Sequence, residues 1–359
     1  MTWIQDILDA TAEVESPRSF IYWSSLAAIA GVTKKNVGLF KQVYTLYPNI
    51  YVLLNAESGG RKSFPIWMAK TLVHKIGNTR NISGRNTIES IITKLSKAYS
   101  RENSPPMLDA NAFVTSGEFH TLLQKNDAAF GILTDLYDTH ANEIWENSTK
   151  NGSGVETLKN VCITLLAGSN DAMLGDVLPD FALEGGFVGR MLNVTDDGSA
   201  PINPLTRPLK HPFNVDDFVP YLKAISEVKG NFEYSPSAML LYELWYTKHR
   251  KRTKGVDKTG IHNRLHDQVL KVAMLISLSE KLDLVITEEN LQKAIDDVEL
   301  MTVSLRKVTE GVGKGQMTLA TRAFMSMMVS APEYRIKKTS VLRDGWGHFD
   351  SIDLGRIVD

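Results

Sequence analysis

The hydrophobic and polar positions fall into two regimes along the chain. Ile4, Ile7 and Leu8 recur at helical spacing, and after a break at Pro17 the segment 20–30 is apolar and alanine-rich, so residues 2–31 read as two helices. Strand patterns follow at 37–40 and 43–47, and Ile50-Tyr51-Val52-Leu53-Leu54 is an unbroken β-branched and aliphatic run of the kind a fully covered parallel strand requires. Further apolar runs at 112–115, 162–166 and 187–194 are separated by helical patterns near 63–77, 86–99, 118–125 and 128–138. Strands that alternate with helices predict an α/β core with a mainly parallel sheet. The apolar flanks of Asn151-Gly152-Ser153-Gly154 predict a β-hairpin over 143–160. Beyond Pro201, Pro204, Pro208 and Pro212 the pattern turns almost wholly helical, at 214–228, 236–253, 261–281 and 288–311. One longer helix from Met317 and two short ones then suggest a small helix-turn-helix-like module. The chain divides on this reading into a helical N-terminal segment (1–35), an α/β core (36–200), a proline-rich linker (201–213), a helical region (214–312) and the C-terminal module (313–359).

The chemistry concentrates where the run at 50–54 meets the next helix. Asn55-Ala56-Glu57-Ser58-Gly59-Gly60-Arg61-Lys62-Ser63 resembles the phosphate loop G-x-x-x-x-G-K-[ST], with Ala56 in place of the first glycine and Arg61 in place of the glycine before the lysine. A buried strand enters the loop and a helix leaves it at Ser63, with Pro65 in the first turn where proline is tolerated. Backbone N–H groups of such a loop point at phosphates, and Ser58, Gly59, Gly60, Arg61, Lys62, Ser63 and Phe64 are the expected contacts to the phosphates of ATP. Lys62 pairs with the β- and γ-phosphates and the Ser63 hydroxyl ligates Mg²⁺. The plainer alternative is a strand-to-helix turn capped by Ser63.

Three further positions are candidates for catalysis. Glu118 ends the strand at 112–115 and polarises the attacking water, itself reaching the metal through water; otherwise it is an acidic residue in a first helical turn. Gly117 stands where such motifs carry an aspartate, so metal anchoring falls to Ser63 and water, or to Asp135 or Asp138. Asn170, after the strand at 162–166, senses the γ-phosphate or caps a turn. Arg190, after Gly185, Gly186 and Gly189, reaches a phosphate of its own site or of a neighbouring subunit, or forms a structural ion pair.

Taken in order, Trp23-Ser24-Ser25-Leu26-Ala27, Leu46-Tyr47-Pro48-Asn49-Ile50, the loop itself, Ser116-Gly117-Glu118-Phe119, Leu136-Tyr137-Asp138 and Gly185-Gly186-Phe187-Val188-Gly189-Arg190 resemble the helicase-like P-loop ATPases of phages, plasmids and mobile elements, which are often linked to primase–polymerase modules. The resemblance spans residues 17–310. It implies a P-loop NTPase core, RecA-like or AAA+-like, that forms a ring, expected to be a hexamer, and acts on DNA in replication with primase or other replication proteins as partners. Two other uses of such a core remain open, an ATP-binding DNA loader or initiator with little turnover and a packaging or defence motor.

Composition narrows the partners. In 359 residues, Lys+Arg 40 against Asp+Glu 41 leaves a net charge of -1, which excludes a globally basic coat but not a local basic patch. The densest basic run, Lys248 to Lys254, offers Lys251 and Arg252 to single-stranded DNA, or simply complements a helix C-terminus. Lys150 and Lys159 on the hairpin are the other nucleic-acid candidates. The single cysteine, Cys162, lies in an apolar run and reads as packing, and His266 as a packed or capping residue rather than a ligand. No apolar run approaches the ~18 residues that span a bilayer, and the N-terminus has no signal-peptide build, so a cytoplasmic protein is expected.

Overall fold

A computed structural model of the chain describes residues 2–98, 107–123, 126–148, 155–170, 186–203, 213–255 and 260–309, together with 324–329, 335–345 and a few isolated positions. The elements run α1 (Trp3–Ala10), α2 (Arg18–Thr33), β1 (Val37–Lys41), β2 (Tyr44–Leu46), β3 (Tyr51–Asn55), α3 (Ser63–Ile76), β4 (Arg80–Ser83), α4 (Ile88–Leu95), β5 (Asn111–Ser116), α5 (His120–Leu123), α6 (Ala128–Tyr137), β6 (Ile144–Ser148), β7 (Val155–Lys159), β8 (Cys162–Ser169) and β9 (Met191–Thr195). The remainder is α7 (Val219–Glu227), β10 (Gly230–Asn231), β11 (Glu233–Tyr234), α8 (Pro236–Thr253), α9 (Ile261–Glu280), β12 (Val285–Ile286), α10 (Glu288–Thr309) and α11 (Lys338–Asp344). Local signals set several boundaries. The Thr2 and Thr87 hydroxyls accept N–H bonds at the starts of α1 and α4, Ser235 does so before Pro236 in α8, and Gly77 ends α3 at φ 72°.

Five strands form one parallel sheet in the order β4-β5-β8-β3-β9. Alternation along each strand feeds two apolar layers. Val52, Leu54, Phe113 and Leu166 face α2, α3, α7 and α9, whereas Tyr51, Leu53, Val114 and Leu165 face α4 and α6. Helix α2 is buried almost all round, because α1, α3, α7 and α9 cover the sides the sheet leaves free. The helices on both sides of the proline-rich stretch therefore share one core with the sheet, while residues 204–212 lie outside the described residues.

The α/β core and parallel sheet follow the expectation from the sequence. Two elements differ. Strand β4 has no apolar run to announce it; as an edge strand it needs only Ile82 on the core side, and Arg80 and Asn81 disguise it. The run at 187–194 is not all strand, because Val188–Arg190 form a 3₁₀ turn and β9 begins at Met191. The expected hairpin is β6 pairing antiparallel with β7, its tip at 149–154 lying outside the described residues. The expected long helix after Met317 is described only over 324–329.

Two buried features hold the helices to the sheet. A Cβ at Gly31 would meet the Phe113 ring at 2.8 Å, so α2 reaches β5 only because that position has no side chain. Gly31→Val is expected to destabilise the fold by about 1–3 kcal/mol, measured by chemical denaturation. At the other end, the Lys271 ammonium donates to the Asn49 carbonyl at 3.0 Å and side-chain oxygen at 2.9 Å, under the Tyr137 ring at 3.7 Å from its centroid. Burial pushes the Lys271 ammonium down to about 8, against its neighbours Asp138 and Asp267. Between pH 8 and 10 the unfolded chain keeps this proton and the native chain releases it, so the native state gains stability as pH rises. Relative to Lys271→Met, the wild type should therefore gain on the order of 2 kcal/mol over that window in denaturation at a series of pH values.

Candidate functional site

The carboxyl ends of the strands carry the candidate residues. Loop 56–62 leaves β3, and α3 starts at Ser63. Gly59 takes φ 84° and Arg61 φ 54°, the second a left-handed conformation that costs a non-glycine residue roughly 1–2 kcal/mol. The position where the motif prefers glycine thus keeps glycine-like geometry with arginine in it. Contacts to the segment between α1 and α2 offset that cost. Ser16, buried, donates to the Arg61 carbonyl at 2.9 Å, and the Arg61 guanidinium pairs with Glu15 at 2.8 Å. Gly60 is confined from the other side, since a Cβ there would meet the Ala56 Cβ at 2.6 Å.

Lys62 curls over its own loop and donates to the carbonyls of Ala56 at 2.5 Å and Glu57 at 3.1 Å. Burial lowers its ammonium below the usual lysine value, opposed by the carboxylates of Glu118 and Glu57, so Glu118 lies within electrostatic reach of Lys62. Ser63 is exposed beside it.

The tip of β8 brings the loop and Glu118 together. Its Ser169 carbonyl accepts from the Ala56 N–H at 3.2 Å, and its Gly168 carbonyl accepts from the Phe119 N–H at 2.7 Å. A Cβ at Gly168 would lie 2.4 Å from the Gly117 carbonyl oxygen and 3.5 Å from Lys62 Cδ. The turn at Glu118 is fixed by Ser116 and Thr121, whose hydroxyls both donate to the Glu118 carbonyl at 2.8 Å. Its side chain stays half exposed, with His120 Nδ1 at 3.9 Å. Ser63, Trp67, Lys70, Ser83, Thr115 and Gly117 border a cleft of roughly 200 Å³ on this end of the sheet. Ligand binding at the carboxyl ends of an open parallel sheet is the general rule for such folds.

Other candidates fall elsewhere. Arg190 is the clearest correction. It precedes β9, which is in register with β3 from Met191 opposite Tyr51 to Thr195 opposite Asn55. The full length of β3, about 15 Å, therefore separates Arg190 from the loop. Its side chain is buried, donates to Asp138 Oδ2 from Nε at 3.0 Å and to the Gly186 carbonyl at 2.8 Å, and is a structural ion pair within the chain. Asp138 is engaged there with Arg190 and Arg264 and does not anchor a metal at Ser63. Asp135 is exposed in the same final turn of α6. Phe64 is partly buried, its ring packed edge-on to Phe213 and tilted against the exposed Trp67. Asn170 follows the β8 tip, and its carbonyl accepts from the Leu174 N–H.

The nucleic-acid candidates are dispersed. Lys251 and Arg252 are exposed at the end of α8, with Arg252 3.8 Å from Glu299. Lys159 is exposed on β7, and Lys150 lies outside the described residues. Cys162 is buried.

Gly168, Ser16 and Glu15 escaped the sequence reading. Gly168 had a signal, a small residue at the end of an apolar run next to polar Ser169. Nothing in the sequence marks the pairing of Glu15 and Ser16 with a loop so far along the chain.

Comparison with protein-family models and with curated proteins found no match. The fold is an α/β layer structure whose five-stranded, all-parallel sheet is compatible with a Rossmann-like or P-loop-like core. Among the described residues no group of three His, Cys, Asp or Glu side chains could hold a metal, and no helix is long and apolar enough to cross a membrane. Gly168→Ala should push the Gly117–Glu118 turn off β8. The expected outcome is a loss of about 1–3 kcal/mol, measured by chemical denaturation.

Proposed function

We propose that this chain binds ATP in loop 56–62, hydrolyses it, and uses the cycle as a helicase-like DNA motor. One observation carries the reading: Lys62, Ser63 and Glu118 converge at the carboxyl ends of β3 and β5, clasped by the β8 tip between them. The loop amides and the N-terminus of α3 favour phosphate oxygens. Lys62 already has acceptors within the loop, so phosphates entering there exchange two carbonyls for charged oxygens. That exchange stabilises the ammonium that burial now disfavours.

The residues present fit Mg²⁺ held chiefly by phosphates and water, since Ser63 offers one hydroxyl and Glu118 one carboxylate. When bound, Mg²⁺ neutralises charge on the β- and γ-oxygens. Glu118 accepts the proton of a water that attacks the γ-phosphorus. The bond to the β-phosphate oxygen breaks, and ADP and phosphate leave. DNA as the substrate track, a ring of six copies and the primase partnership rest on the family resemblance alone. Asn170, directly after the β8 tip, is the side chain assigned to the γ-phosphate, and Arg190, held by Asp138 and the Gly186 carbonyl, takes no part.

The loader with little turnover has one observation in its favour. Gly117 leaves the loop with Glu118 as its one carboxylate from β5, and Asp138 is committed elsewhere. Turnover with and without single-stranded DNA distinguishes the two, because a motor is stimulated by DNA whereas a loader binds ATP without sustained release of phosphate. In a motor, Lys62→Ala should abolish ATP binding with the fold intact. Glu118→Gln should bind ATP and lower kcat by about 10²–10⁴-fold. An unchanged rate in Glu118→Gln would remove the proposed base.

A further inference from the structure

Helix α3 presents a second surface, one turn beyond the loop. Ser63, Ile66, Trp67 and Lys70 recur at i, i+3, i+4 and i+7 and so share one face of the helix. That face is one wall of the cleft of roughly 200 Å³, and Ser83 and Gly84 at the end of β4 with Thr115 and Gly117 at the end of β5 form the other. Ile66 is buried there, whereas Trp67 is 46% exposed. The space exceeds several-fold the about 30 Å³ that one water takes up.

The lining is charged in one sense. Among the described residues the Lys70 ammonium has neither a hydrogen-bond nor an ion-pair partner, while its backbone is held because the Asn81 amide donates to the Lys70 carbonyl at 2.7 Å. No carboxylate lines the cleft, and Ser63, Ser83 and Thr115 add three hydroxyls. Tryptophan is on average a well-buried side chain, yet Trp67 has one ring contact among the described residues, Phe64 at 5.8 Å between centroids. A lone exposed apolar side chain needs no explanation, but an indole that borders a cleft beside an unpaired lysine does. A cation for a phosphate and a π-face for a planar ring are together the contacts that a nucleotide takes.

We infer that this cleft holds one nucleotide of a single-stranded DNA, its base against the Trp67 indole and its phosphate on Lys70. Residues three apart on a helix have Cβ atoms about 5–6 Å from each other, close enough for one nucleotide to reach both. The base must be unpaired, because inside a duplex its faces are covered by its neighbours in the stack. Stacking and a phosphate contact read no base edge, so the site accepts any sequence. The adenine of ATP is not the occupant: the cleft meets the ATP site at Ser63 and Gly117, beside the proposed γ-phosphate, and the adenine lies at the other end of the triphosphate. That the polymer is DNA rests on the proposed function, whereas the stacking site rests on the cleft itself.

The test is binding of a fluorescent oligothymidylate to the full chain, read by anisotropy without nucleotide. Trp67→Ala should weaken it by about 5–150-fold, and Trp67→Phe, which keeps a ring, should retain most of the affinity. Lys70→Gln should lower the slope of log affinity against log salt by about 0.7, the value for one phosphate of a single strand. ATP binding measured without DNA should be the same in Trp67→Ala as in the wild type, which also shows that the variant folds. No binding of the oligothymidylate by the wild type, or binding indifferent to both Trp67→Ala and Lys70→Gln, would overturn the inference. Weaker ATP binding by Trp67→Ala in the absence of DNA would overturn it as well, by assigning the indole to adenine. ATP binding that persists in Lys62→Ala counts against the loop and not against this cleft, so the two readings fail separately.

Discussion

The constraint on which the candidate site depends is the insertion of the β8 tip between the end of β3 and the end of β5. Two backbone bonds, Ala56 N–H to Ser169 and Phe119 N–H to Gly168, hold the loop and the Glu118 turn on adjacent carbonyls of one strand. Neither depends on a side chain, so their geometry is set by the parallel register alone. The bare Cα of Gly168 lets the Gly117 carbonyl approach, with Lys62 packed alongside. Remove that approach and the Gly117–Glu118 turn no longer lies against the loop that carries Lys62.

The two ends of the sheet handle charge differently. At the carboxyl end, an exposed loop, one ammonium and one half-exposed carboxylate leave the electrostatics open to whatever enters. At the amino end, arginine, lysine and aspartate side chains are drawn inward and mostly bonded to one another. Buried ion pairs seldom add net stability over apolar packing, but half of one is expensive. That asymmetry explains why Arg190, free-looking in sequence among glycines, is fixed in place. Gly186, at φ 75°, turns the chain so that its carbonyl meets the guanidinium.

Much of the scaffold was legible because its physics is local. The run at 50–54 and the helical periods at 63–77, 236–253 and 261–281 each declare themselves within a few residues. The loop was legible for the same reason, as strand, glycines, lysine and helix are contiguous. What escaped is what depends on distant partners. Strand β4 is defined by its neighbour β5 rather than by its own apolarity, Phe64 by a core it shares with Phe213, and Arg190 by an aspartate reached only through the fold. The glycine run before Arg190 suggested reach, when its geometric role is to close a turn.

Loop 56–62 has arginine at position 61, where the phosphate-loop pattern it resembles has glycine. Glycine serves such a position because a left-handed backbone costs it nothing, whereas arginine there is penalised. The penalty is tolerable only if the surroundings hold the conformation, and here they do so through Ser16 on the carbonyl and Glu15 on the guanidinium. Glu15 also accepts from the Asn203 N–H at 2.8 Å, so the same carboxylate joins the loop to the segment that follows β9. A glycine at position 61 would free the loop from both. Arginine therefore makes loop 56–62 a junction of three segments, tied to the segment before α2 and to the chain beyond β9. The Glu15–Arg61 pair is partly exposed on both sides and so contributes at most about 1 kcal/mol, which leaves the buried Ser16 bond to the Arg61 carbonyl as the firmer of the two ties.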